Sequence, residues 1–291
     1  MPFRPSPFLA YAKKPSSAVW LNRQARDPYV RLRSSPDITA AIAATSYRSR
    51  SAFKLLEMEE KWRFLNHSDV QVVLDLGCAP GGWSQVVAQQ LGWDRPPRRK
   101  REPTTPYPAA GESDWSLSSS STWSTQVEPG SPLDISDLET PLGRGTIIGV
   151  DLLRMTPMVG VQFLEADFLA ADTEALIRAI IERRLGPHGK ADVILCDMAS
   201  NSMGNAFHDI ESSLAICTSV FEFSQRHLRA AQSIGRQNSG VLLMKYFSHP
   251  LLHMFRKEHL EPRFNEVRSL KPNASRSESK EVYFLCRGWK G

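Results

Sequence analysis

Short apolar runs alternate with stretches of helical periodicity along most of the chain. Seven runs have the length and composition of strands, at 72–76, 146–151, 161–164, 192–197, 240–246, 264–268 and 281–286. Apolar residues recur at helical spacing in five further stretches, at 48–62, 82–91, 171–184, 211–232 and 250–260. Apolar strands that alternate with helices predict a parallel sheet covered by helices on both faces. We therefore expect a Rossmann-like, doubly wound α/β domain with a sheet of seven strands.

One segment interrupts this alternation, at 94–143. Proline and serine dominate it, as in PPRRKREPTTPYP and SLSSSSTWST, and no hydrophobic period persists. Such a composition buries too little apolar surface to offset the entropy that is lost on ordering. We interpret the segment as a largely disordered insertion within the α/β domain. A loop that clamps RNA is the alternative.

Positive charge is concentrated at the start of the chain. Residues 1–63 contain twelve Lys or Arg against five Asp or Glu, a surplus of seven that exceeds the net charge of +5 for the whole chain. A basic surface fits contact with a polyanion such as RNA, because neutralised phosphates release counterions. A solvated basic surface is the alternative.

Cysteine spacing and hydropathy exclude several other classes of protein. The four cysteines, Cys78, Cys196, Cys217 and Cys286, lie far apart, and three of them sit in apolar runs. The sequence therefore predicts neither a metal site nor a disulfide framework. No apolar run approaches the roughly 18 to 20 residues that span a bilayer, so we expect no membrane span.

The first 44 residues precede the α/β pattern. Residues 1–26 contain five basic residues, several Ser and Ala, and no acidic residue, which is typical of a mitochondrial transit peptide. A basic RNA-binding arm is the alternative. We divide the chain into an N-terminal extension at 1–44 and an α/β domain at 45–291, and we expect a location in the mitochondrial matrix.

The first predicted strand enters a glycine-rich turn in the run VVLDLGCAPGGWSQVV. Gly81 and Gly82 allow a ligand to approach the backbone closely. The helix that begins near Trp83 presents unpaired N–H groups to a carboxylate or phosphate. The turn, which includes Pro80, therefore predicts a cofactor site of the kind that nucleotide-binding and methyltransferase folds share.

Two aspartates follow the next two strands. Asp151 ends the strand TIIGVD, where an acidic residue typically accepts hydrogen bonds from ribose hydroxyls. It lies 69 positions after Gly82, and without the 50-residue insertion this spacing is 19, close to the roughly 20 of the dinucleotide-binding pattern. Asp167, after the third strand, is placed to meet an adenine amino group. A surface aspartate that caps a helix is the alternative.

Two further polar residues lie near the ends of central strands. Asp197 ends the run 192–197, and Lys245 lies near the end of the run 240–246. Both ends face the crevice in which α/β sheets bind ligands. A lysine at the end of VLLMKYF must either extend to solvent or occupy a polar site. We expect Asp197 and Lys245 to meet.

Six stretches of the chain carry a resemblance to a known family. In order they are YRSRSAFKL, DLGCAPGGWSQ, VDLLRM, DVILCDMAS, VLLMKYF and KPNASRSESKEVY. Together they resemble the FtsJ family of RNA ribose 2′-O-methyltransferases over residues 45–288, apart from the insertion. The resemblance implies a class I methyltransferase fold and S-adenosylmethionine as the cofactor.

The resemblance also implies particular site residues. In that family a Lys-Asp-Lys-Glu tetrad lines the active site, and the matching residues are Lys54, Asp197, Lys245 and Glu281. The family's cofactor contacts correspond to Gly81, Trp83, Asp151, Asp167 and Asp197.

Methyl transfer to a ribose gives each member of the tetrad a role. A neutral 2′-hydroxyl is a poor nucleophile, so the enzyme must align it with the methyl group and take its proton. We hypothesise that Lys245 is the base and that Lys54 is the neighbouring cation and holds the developing oxyanion. Glu281 would orient a lysine and the hydroxyl, and Asp197 would balance the charge of the sulfonium. In the alternative, Lys245 stays charged and only positions the hydroxyl.

Arg48 and Arg50 lie on the same predicted helix as Lys54. Both are candidates for contact with RNA phosphates. A solvated helix face is the alternative for each.

The resemblance favours a uridine ribose in large-subunit ribosomal RNA as the substrate. The stretch WLNRQARDPYVRLR and the basic leader are similar to the mitochondrial branch of the family. The expected partner is ribosomal RNA or a precursor of the large ribosomal subunit, and no obligate protein partner is indicated. The alternatives are a transfer-RNA or messenger-cap 2′-O-methyltransferase, a methyltransferase for small molecules or proteins, and a ribosome-assembly factor without catalysis.

The tetrad makes one structural demand on the sheet. Strand ends bring Asp197 and Lys245 to one edge, whereas Glu281 begins the last strand. Glu281 reaches that edge only if the last strand runs antiparallel to its neighbours. Lys54 must arrive from a helix before the first strand.

Overall fold

The chain forms a seven-stranded sheet in a computed structural model that describes residues 27–30, 47–94, 143–199, 206–276 and 278–291. The strands are β1 (Val72–Leu76), β2 (Thr146–Asp151), β3 (Val161–Glu165), β4 (Val193–Cys196), β5 (Val241–Phe247), β6 (Phe264–Leu270) and β7 (Glu281–Trp289). The helices are α1 (Ser51–Trp62), α2 (Gly82–Gln90), α3 (Ala171–Leu185), α4 (Ala206–His227), α5 (Ala231–Ile234) and α6 (Pro250–Phe255), which continues as a π-helical turn (Arg256–Leu260).

The sheet is mixed and has the strand order β3-β2-β1-β4-β5-β7-β6. Strands β1 to β5 pair in parallel, whereas β7 pairs antiparallel with β5 and β6. Glu281, the first residue of β7, therefore lies opposite Phe247, the last residue of β5. The predicted α/β fold with seven strands and an antiparallel last strand is confirmed.

Helices cover both faces of the sheet. Because successive residues of a strand point to opposite faces, each strand contributes side chains to two apolar cores. Leu74 of β1 belongs to the core that also contains residues of α3 and α4. Its neighbour Val73 belongs to the second core, which contains residues of α1 and α2. Both side chains are completely buried. This double burial explains why the strands are apolar throughout.

Helix α1 begins at Ser51, three residues later than predicted. The backbone N–H of Arg48 donates to Gln85 Oε1 (3.0 Å), so this part of the chain is held to α2 instead of continuing the helix. As a result, Arg48 and Arg50 precede α1 and do not lie on it.

Two other helices also differ from the predicted bounds. The predicted helix at 211–232 is α4, which ends at His227 because Leu228 pairs with Ala191 as an isolated parallel bridge. The predicted helix at 250–260 changes from α to π at Arg256, where the N–H of Glu261 donates to the Arg256 carbonyl (2.9 Å). Both differences leave the positions of the strands as predicted.

The predicted insertion connects α2 to β2. Its residues 95–142 lie outside the described residues, as do residues 1–26 and 31–44 of the predicted N-terminal extension and residues 45–46. The two ends of the insertion meet, because the N–H of Arg144 donates to the Leu91 carbonyl (2.8 Å) and Trp93 Nε1 donates to the Arg144 carbonyl (3.1 Å). This junction precedes β2, so it lies at the sheet edge opposite the C-terminal ends of the parallel strands.

Candidate active site

The turn after β1 brings the backbone to the C-terminal edge of the parallel strands. Gly77 (φ +72°) and Gly81 (φ +104°) have left-handed conformations, which residues with a side chain rarely adopt. A Cβ atom at Gly77 would lie 2.0 Å from Met198 Cγ, and one at Gly81 would lie 2.6 Å from Met155 Sδ. The turn therefore requires glycine at both positions.

A cavity of about 340 Å³ opens beside this turn. Gly77, Asp151, Asp167 and Asp197 are among the residues that line it. Its volume lies within the range of roughly 300 to 1,000 Å³ that is typical of small-molecule sites. The structure thus brings together three aspartates that the sequence identified.

Backbone N–H groups fix the carboxylate of Asp151. Its Oδ2 accepts a hydrogen bond from the Ala79 N–H (2.8 Å), and its Oδ1 accepts one from the Leu153 N–H (2.8 Å). A carboxylate has about four lone-pair positions, so two such bonds leave acceptor capacity for ligand hydroxyls. The residue is oriented and still able to bind.

Asp167 lies in an exposed turn after β3. Its Oδ1 accepts a hydrogen bond from the Leu169 N–H (3.0 Å). The N-cap residue of α3 is Ala170, so Asp167 does not cap that helix. The helix-capping alternative for Asp167 is therefore wrong, and the carboxylate lines the cavity instead.

An apolar residue follows each of the three aspartates and also lines the cavity. These residues are Leu152, Phe168 and Met198. Leu152 is 71% exposed, so its side chain is accessible to a ligand in the cavity. The sequence reasoning missed all three, although their position directly after a strand-end aspartate was a usable signal.

The remaining predicted cofactor residues lie beside the cavity. Trp83 is 2% exposed, its Nε1 donates to the Ser51 carbonyl (2.9 Å), and its ring lies 5.7 Å from the Tyr283 ring. Gly82 is buried and Pro80 is exposed. The structure therefore places Trp83 against Tyr283 of β7 and not among the residues that line the cavity.

The four residues of the predicted tetrad form two ion pairs. Lys54 Nζ lies 2.7 Å from Glu281 Oε1, and Lys245 Nζ lies 3.0 Å from Asp197 Oδ1. Lys245 Nζ also donates a hydrogen bond to the backbone carbonyl of Asp197. Each of the four side chains is between 10% and 16% exposed. The predicted tetrad is thus a cluster of largely buried, mutually paired charges.

Tyr283 connects the two ion pairs. Its hydroxyl donates to Asp197 Oδ1 (2.8 Å), and Lys54 Nζ lies 5.9 Å from the centre of its ring. Tyr283 is paired with Lys245 across β5 and β7, and it shares a face of β7 with Glu281, two residues earlier. The sequence reasoning missed Tyr283, although the period of two in β7 places it beside Glu281.

Lys54 controls the pKa of Glu281. Burial is the largest influence and raises the pKa of this carboxyl, but the charge and hydrogen bond of Lys54, together with smaller contributions that include the charge of Lys245, lower it by more than burial raises it. The pKa of Glu281 therefore lies below its ordinary value. Glu281 stays ionised, and the pair with Lys54 persists into acidic solution.

Asp75 of β1 lies beneath the site and is 1% exposed. Burial raises its pKa to about 7, and the negative charges of Asp197 and Asp151 add to this effect. The Ser84 hydroxyl donates to Asp75 Oδ2 (2.6 Å) and opposes the shift. Asp75 Oδ1 has no hydrogen-bond partner among the described residues.

Arg48 and Arg50 hold the surroundings of the site together. The guanidinium of Arg48 donates to the carbonyls of residues 156–157 (2.5 and 2.9 Å). Arg50 pairs with Asp27 (2.5 Å) and donates to the Ala274 carbonyl (2.6 Å). Neither arginine belongs to a solvated helix face, so that alternative is wrong.

Metal ligands and membrane spans are absent from the described part of the chain. It contains no group of three His, Cys, Asp or Glu side chains that could hold a metal ion. None of its helices is long and apolar enough to cross a membrane.

The order of the strands and the single reversed strand next to β5 define a class I methyltransferase fold. A family model agrees with this class. The model of FtsJ-like methyltransferases matches residues 47–289, and the chain belongs to this family. The resemblance that the six sequence stretches indicated is confirmed.

Relatives match nearly the whole chain. The protein named Ribosomal RNA large subunit methyltransferase E of Rickettsia akari is 32% identical over 275 residues, which are 93% of this chain and 88% of the relative. The protein of that name from Afipia carboxidovorans is 31% identical over 279 residues, 96% of this chain and 92% of the relative. A crystal structure of a ribosomal RNA methyltransferase from Plasmodium falciparum has a TM-score of 0.57 at 21% identity and covers 84% of this chain and 100% of its own. That likeness supports the fold.

These comparisons correct the predicted location. The mitochondrial prediction is contradicted, because the relatives that match nearly the whole chain are bacterial proteins, from Rickettsia, Afipia and Bradyrhizobium. Basic residues with Ser and Ala and without acids also suit a segment that contacts RNA. The composition of the leader therefore did not identify a compartment.

Proposed function

We propose that the chain transfers a methyl group from S-adenosylmethionine to a ribose 2′-hydroxyl of large-subunit ribosomal RNA. One observation carries the proposal: two largely buried lysine–carboxylate pairs, Lys54–Glu281 and Lys245–Asp197, meet around Tyr283. Asp197 also lines the cavity beside the glycine turn. It therefore links the proposed site of proton transfer to the proposed site of the cofactor.

The chemistry of the cavity fits S-adenosylmethionine. The carboxylate of Asp151 has lone pairs for the ribose hydroxyls, and Asp167 can accept from the adenine amino group. Phe168 and Met198 offer apolar contact to the adenine ring, and Asp197 offers negative charge to the sulfonium. When bound there, the cofactor supplies a methyl group on a positively charged sulfur.

Lys245 is the proposed base. Asp197 engages its Nζ through one carboxylate oxygen and through the backbone carbonyl. In the neutral amine form that a base requires, Nζ has two N–H groups, which these two contacts use, and one lone pair, which is available to the substrate hydroxyl. When S-adenosylmethionine is bound, it would supply the methyl group that bonds to the 2′-oxygen as the carbon–sulfur bond breaks, and the hydroxyl proton would pass to the lone pair of Lys245 Nζ.

Lys54 and Glu281 complete the proposed site. The ammonium of Lys54 stabilises negative charge that develops on the 2′-oxygen, because it is fixed in place before the reaction. Glu281 holds Lys54 at 2.7 Å and neutralises it in the absence of the substrate. The site is partly buried, so its local dielectric constant is lower than that of water. The electrostatic attraction between Lys54 and negative charge is therefore stronger there than in water.

The substrate class rests on the relatives. The proteins of Rickettsia and Afipia are named for the large ribosomal subunit, and they match 93% and 96% of this chain. The uridine base is proposed from the family resemblance. Transfer RNA and the messenger cap are the competing substrates, and RNA binding without catalysis is the competing function.

Parallel methylation assays test the proposal. The full-length protein is incubated with tritiated S-adenosylmethionine and, separately, with large-subunit particles, isolated large-subunit RNA, small-subunit RNA, transfer RNA and capped messenger RNA. We expect label in large-subunit RNA, as particles or as isolated RNA. Label confined to transfer RNA or the cap would contradict the substrate. Cofactor binding without label in any RNA would favour an assembly factor.

A further inference from the structure

A short part of the N-terminal extension, residues 27–30, lies against the two parts of the chain that supply the Lys54–Glu281 pair. These parts are α1, which carries Lys54, and segment 271–280, which leads into Glu281. We propose that Asp27 and Tyr29 are positioning residues that fix Lys54 opposite Glu281 for methyl transfer. This inference rests on the proposed function, and neither residue needs to touch the substrate.

Asp27 joins both parts of the chain through arginines. It is 7% exposed, and its Oδ2 lies 2.5 Å from Arg50 Nη1 and 3.7 Å from Arg276 Nη2. Arg50 directly precedes α1, and its second nitrogen donates to the Ala274 carbonyl (2.6 Å). One buried carboxylate therefore holds the start of α1 and segment 271–280 together. Without it, Arg50 and Arg276 would repel each other.

Tyr29 supports a second link, about two turns farther along α1. Its hydroxyl donates to Glu57 Oε1 (3.1 Å). Glu57 in turn accepts hydrogen bonds from the N–H groups of Asn273 (2.6 Å) and Ala274 (3.0 Å). Glu57 lies three residues after Lys54, so this link fixes the same part of α1 that carries the lysine.

The tyrosine ring is itself held in place. Its centre lies 5.3 Å from the Phe53 ring, and the Arg50 guanidinium lies 5.3 Å above it. Asp27 and Tyr29 thus share Arg50 as a partner. The two links form one connected network between α1 and segment 271–280.

The network fixes the geometry of the Lys54–Glu281 pair and is not part of the apolar cores. Segment 271–280 contains no helix or strand among its described residues, so hydrogen bonds and ion pairs must fix it. Neither Asp27 nor Tyr29 is part of the two apolar cores found in the described chain. A displacement of about 1 Å between catalytic groups can lower a rate by about 100-fold. Loosening this network should therefore act on catalysis.

Two substitutions in the full-length protein test the inference. Asp27→Asn removes the charge at constant size and should lower kcat at saturating cofactor and RNA by at least about tenfold. Tyr29→Phe removes one hydroxyl, keeps the ring contacts, and should lower kcat by about threefold, as expected for a single hydrogen bond. The Kd for S-adenosylmethionine should stay within about twofold of wild type in both variants, because the cavity is formed by other residues.

Two controls separate positioning from stability. Asp27→Glu restores the carboxylate and should recover most of the lost kcat. Asp69→Asn breaks another arginine–aspartate pair, with Arg236 at 2.8 Å, just before β1 and at the opposite sheet edge. This control should lower the melting temperature and leave kcat within about twofold of wild type.

The outcomes are distinguishable. The positioning role would be overturned if the wild-type protein is active and the kcat of Asp27→Asn is no lower than that of Asp69→Asn. The proposed function would be unaffected by this result. If Asp27→Asn does not fold, Tyr29→Phe decides in the same way, with an unchanged kcat as the contrary result. Wild-type protein that methylates no RNA would instead contradict the proposed function, and the positioning role with it.

Discussion

At Lys245 the proposed mechanism depends on whether the amine can release a proton. Arginine at this position keeps a positive charge and N–H donors, but it does not deprotonate near neutral pH. We expect Lys245→Arg to lower kcat as strongly as Lys245→Ala, by roughly 100- to 10,000-fold, as is typical for loss of a general base. Steady-state methylation of large-subunit RNA measures both variants.

Cofactor binding is the control for Lys245. Titration calorimetry should give a Kd for S-adenosylmethionine close to that of wild type in both variants. A Lys245→Arg protein that keeps activity within about tenfold of wild type would show that charge alone suffices. The lysine would then position the hydroxyl without accepting its proton.

The lowered pKa of Glu281 predicts that the stability of the protein depends on pH. Its pKa is lowered in the folded protein because the Lys54 pair and smaller contributions that include the charge of Lys245 together outweigh burial. The stabilising contribution is therefore present above the unfolded pKa of about 4.3 and is lost as the pH falls through the lower folded value. Urea unfolding should show that wild type is more stable than Glu281→Gln by a constant amount above about pH 5.5, and that this difference shrinks below about pH 4.5. A difference that grows in acid would contradict the ion pair.

The raised pKa of Asp75 predicts a pH dependence of stability that is opposite in sign to that of Glu281. Its pKa of about 7 exceeds the value near 3.8 of a free carboxyl, so the folded state binds the extra proton between these values. Stability from this group is therefore greatest in acid and falls as the pH rises from about 4 to about 7. Relative to Asp75→Asn, wild type should have a higher melting temperature at about pH 5 than at about pH 7.5. Equal differences at the two pH values would contradict the shifted pKa.

Single residues were predictable where a strand end fixed their place. Asp151 ends a strand, Asp167 and Asp197 each follow one, and parallel strands end at one edge, so their meeting followed from the pattern. Tyr283 was not found in this way, because its contacts depend on the register between β5 and β7. Register is set by side chains that are distant in sequence, and an apolar run alone does not encode it.

At the scale of elements, α1 shows the limit of periodicity. The pattern predicted a helix from residue 48, but contacts of Arg48 with α2 and with residues 156–157 delay the start to Ser51. These contacts span more than thirty positions of sequence. Lys54 still lies on the helix, although its place opposite Glu281 was implied only by the family resemblance.

The insertion is predicted to be dispensable for the fold and for cofactor binding. Its ends are joined through Leu91, Trp93 and Arg144 at the edge opposite the site. Replacing residues 95–142 by a short Gly-Ser link should leave the Kd for S-adenosylmethionine unchanged. The free energy of unfolding should stay the same or rise by up to about 2 kcal/mol, because a shorter loop loses less entropy on closure. Calorimetry and urea unfolding measure both quantities.

A second deletion, which also replaces Trp93 by Ala, is the matched control. The Trp93 ring packs against Gly143 and Gly160, where a Cβ atom would lie 2.1 and 2.3 Å from ring atoms. This variant should be less stable, since it leaves a cavity at the junction. A loss of RNA methylation of tenfold or more in the simple deletion would favour the RNA-clamping alternative.

At the scale of the whole molecule, sheet topology creates the site. Alternation of strands and helices predicted the class of fold, and the predicted strand ends placed Asp197 and Lys245 at one edge. The direction of β7 did not follow from alternation, because an apolar strand has the same pattern in either direction. The antiparallel pairing of Phe247 with Glu281 brings the carboxylate of Glu281 to the edge where Asp197 and Lys245 lie. The location of the protein was predicted from the basic leader and the stretch WLNRQARDPYVRLR, and the bacterial relatives contradict it.

Ribose methylation is tested most directly by the chemical position of the transferred methyl group. Large-subunit RNA labelled by the full-length protein is hydrolysed in alkali, which cleaves next to free 2′-hydroxyls and spares 2′-O-methylated linkages. We expect the label in an alkali-resistant dinucleotide from one site, and we expect Lys245→Ala protein to give none. Label in the mononucleotides that alkali releases would show that the methyl group is on a base. That result would contradict ribose methylation by this tetrad.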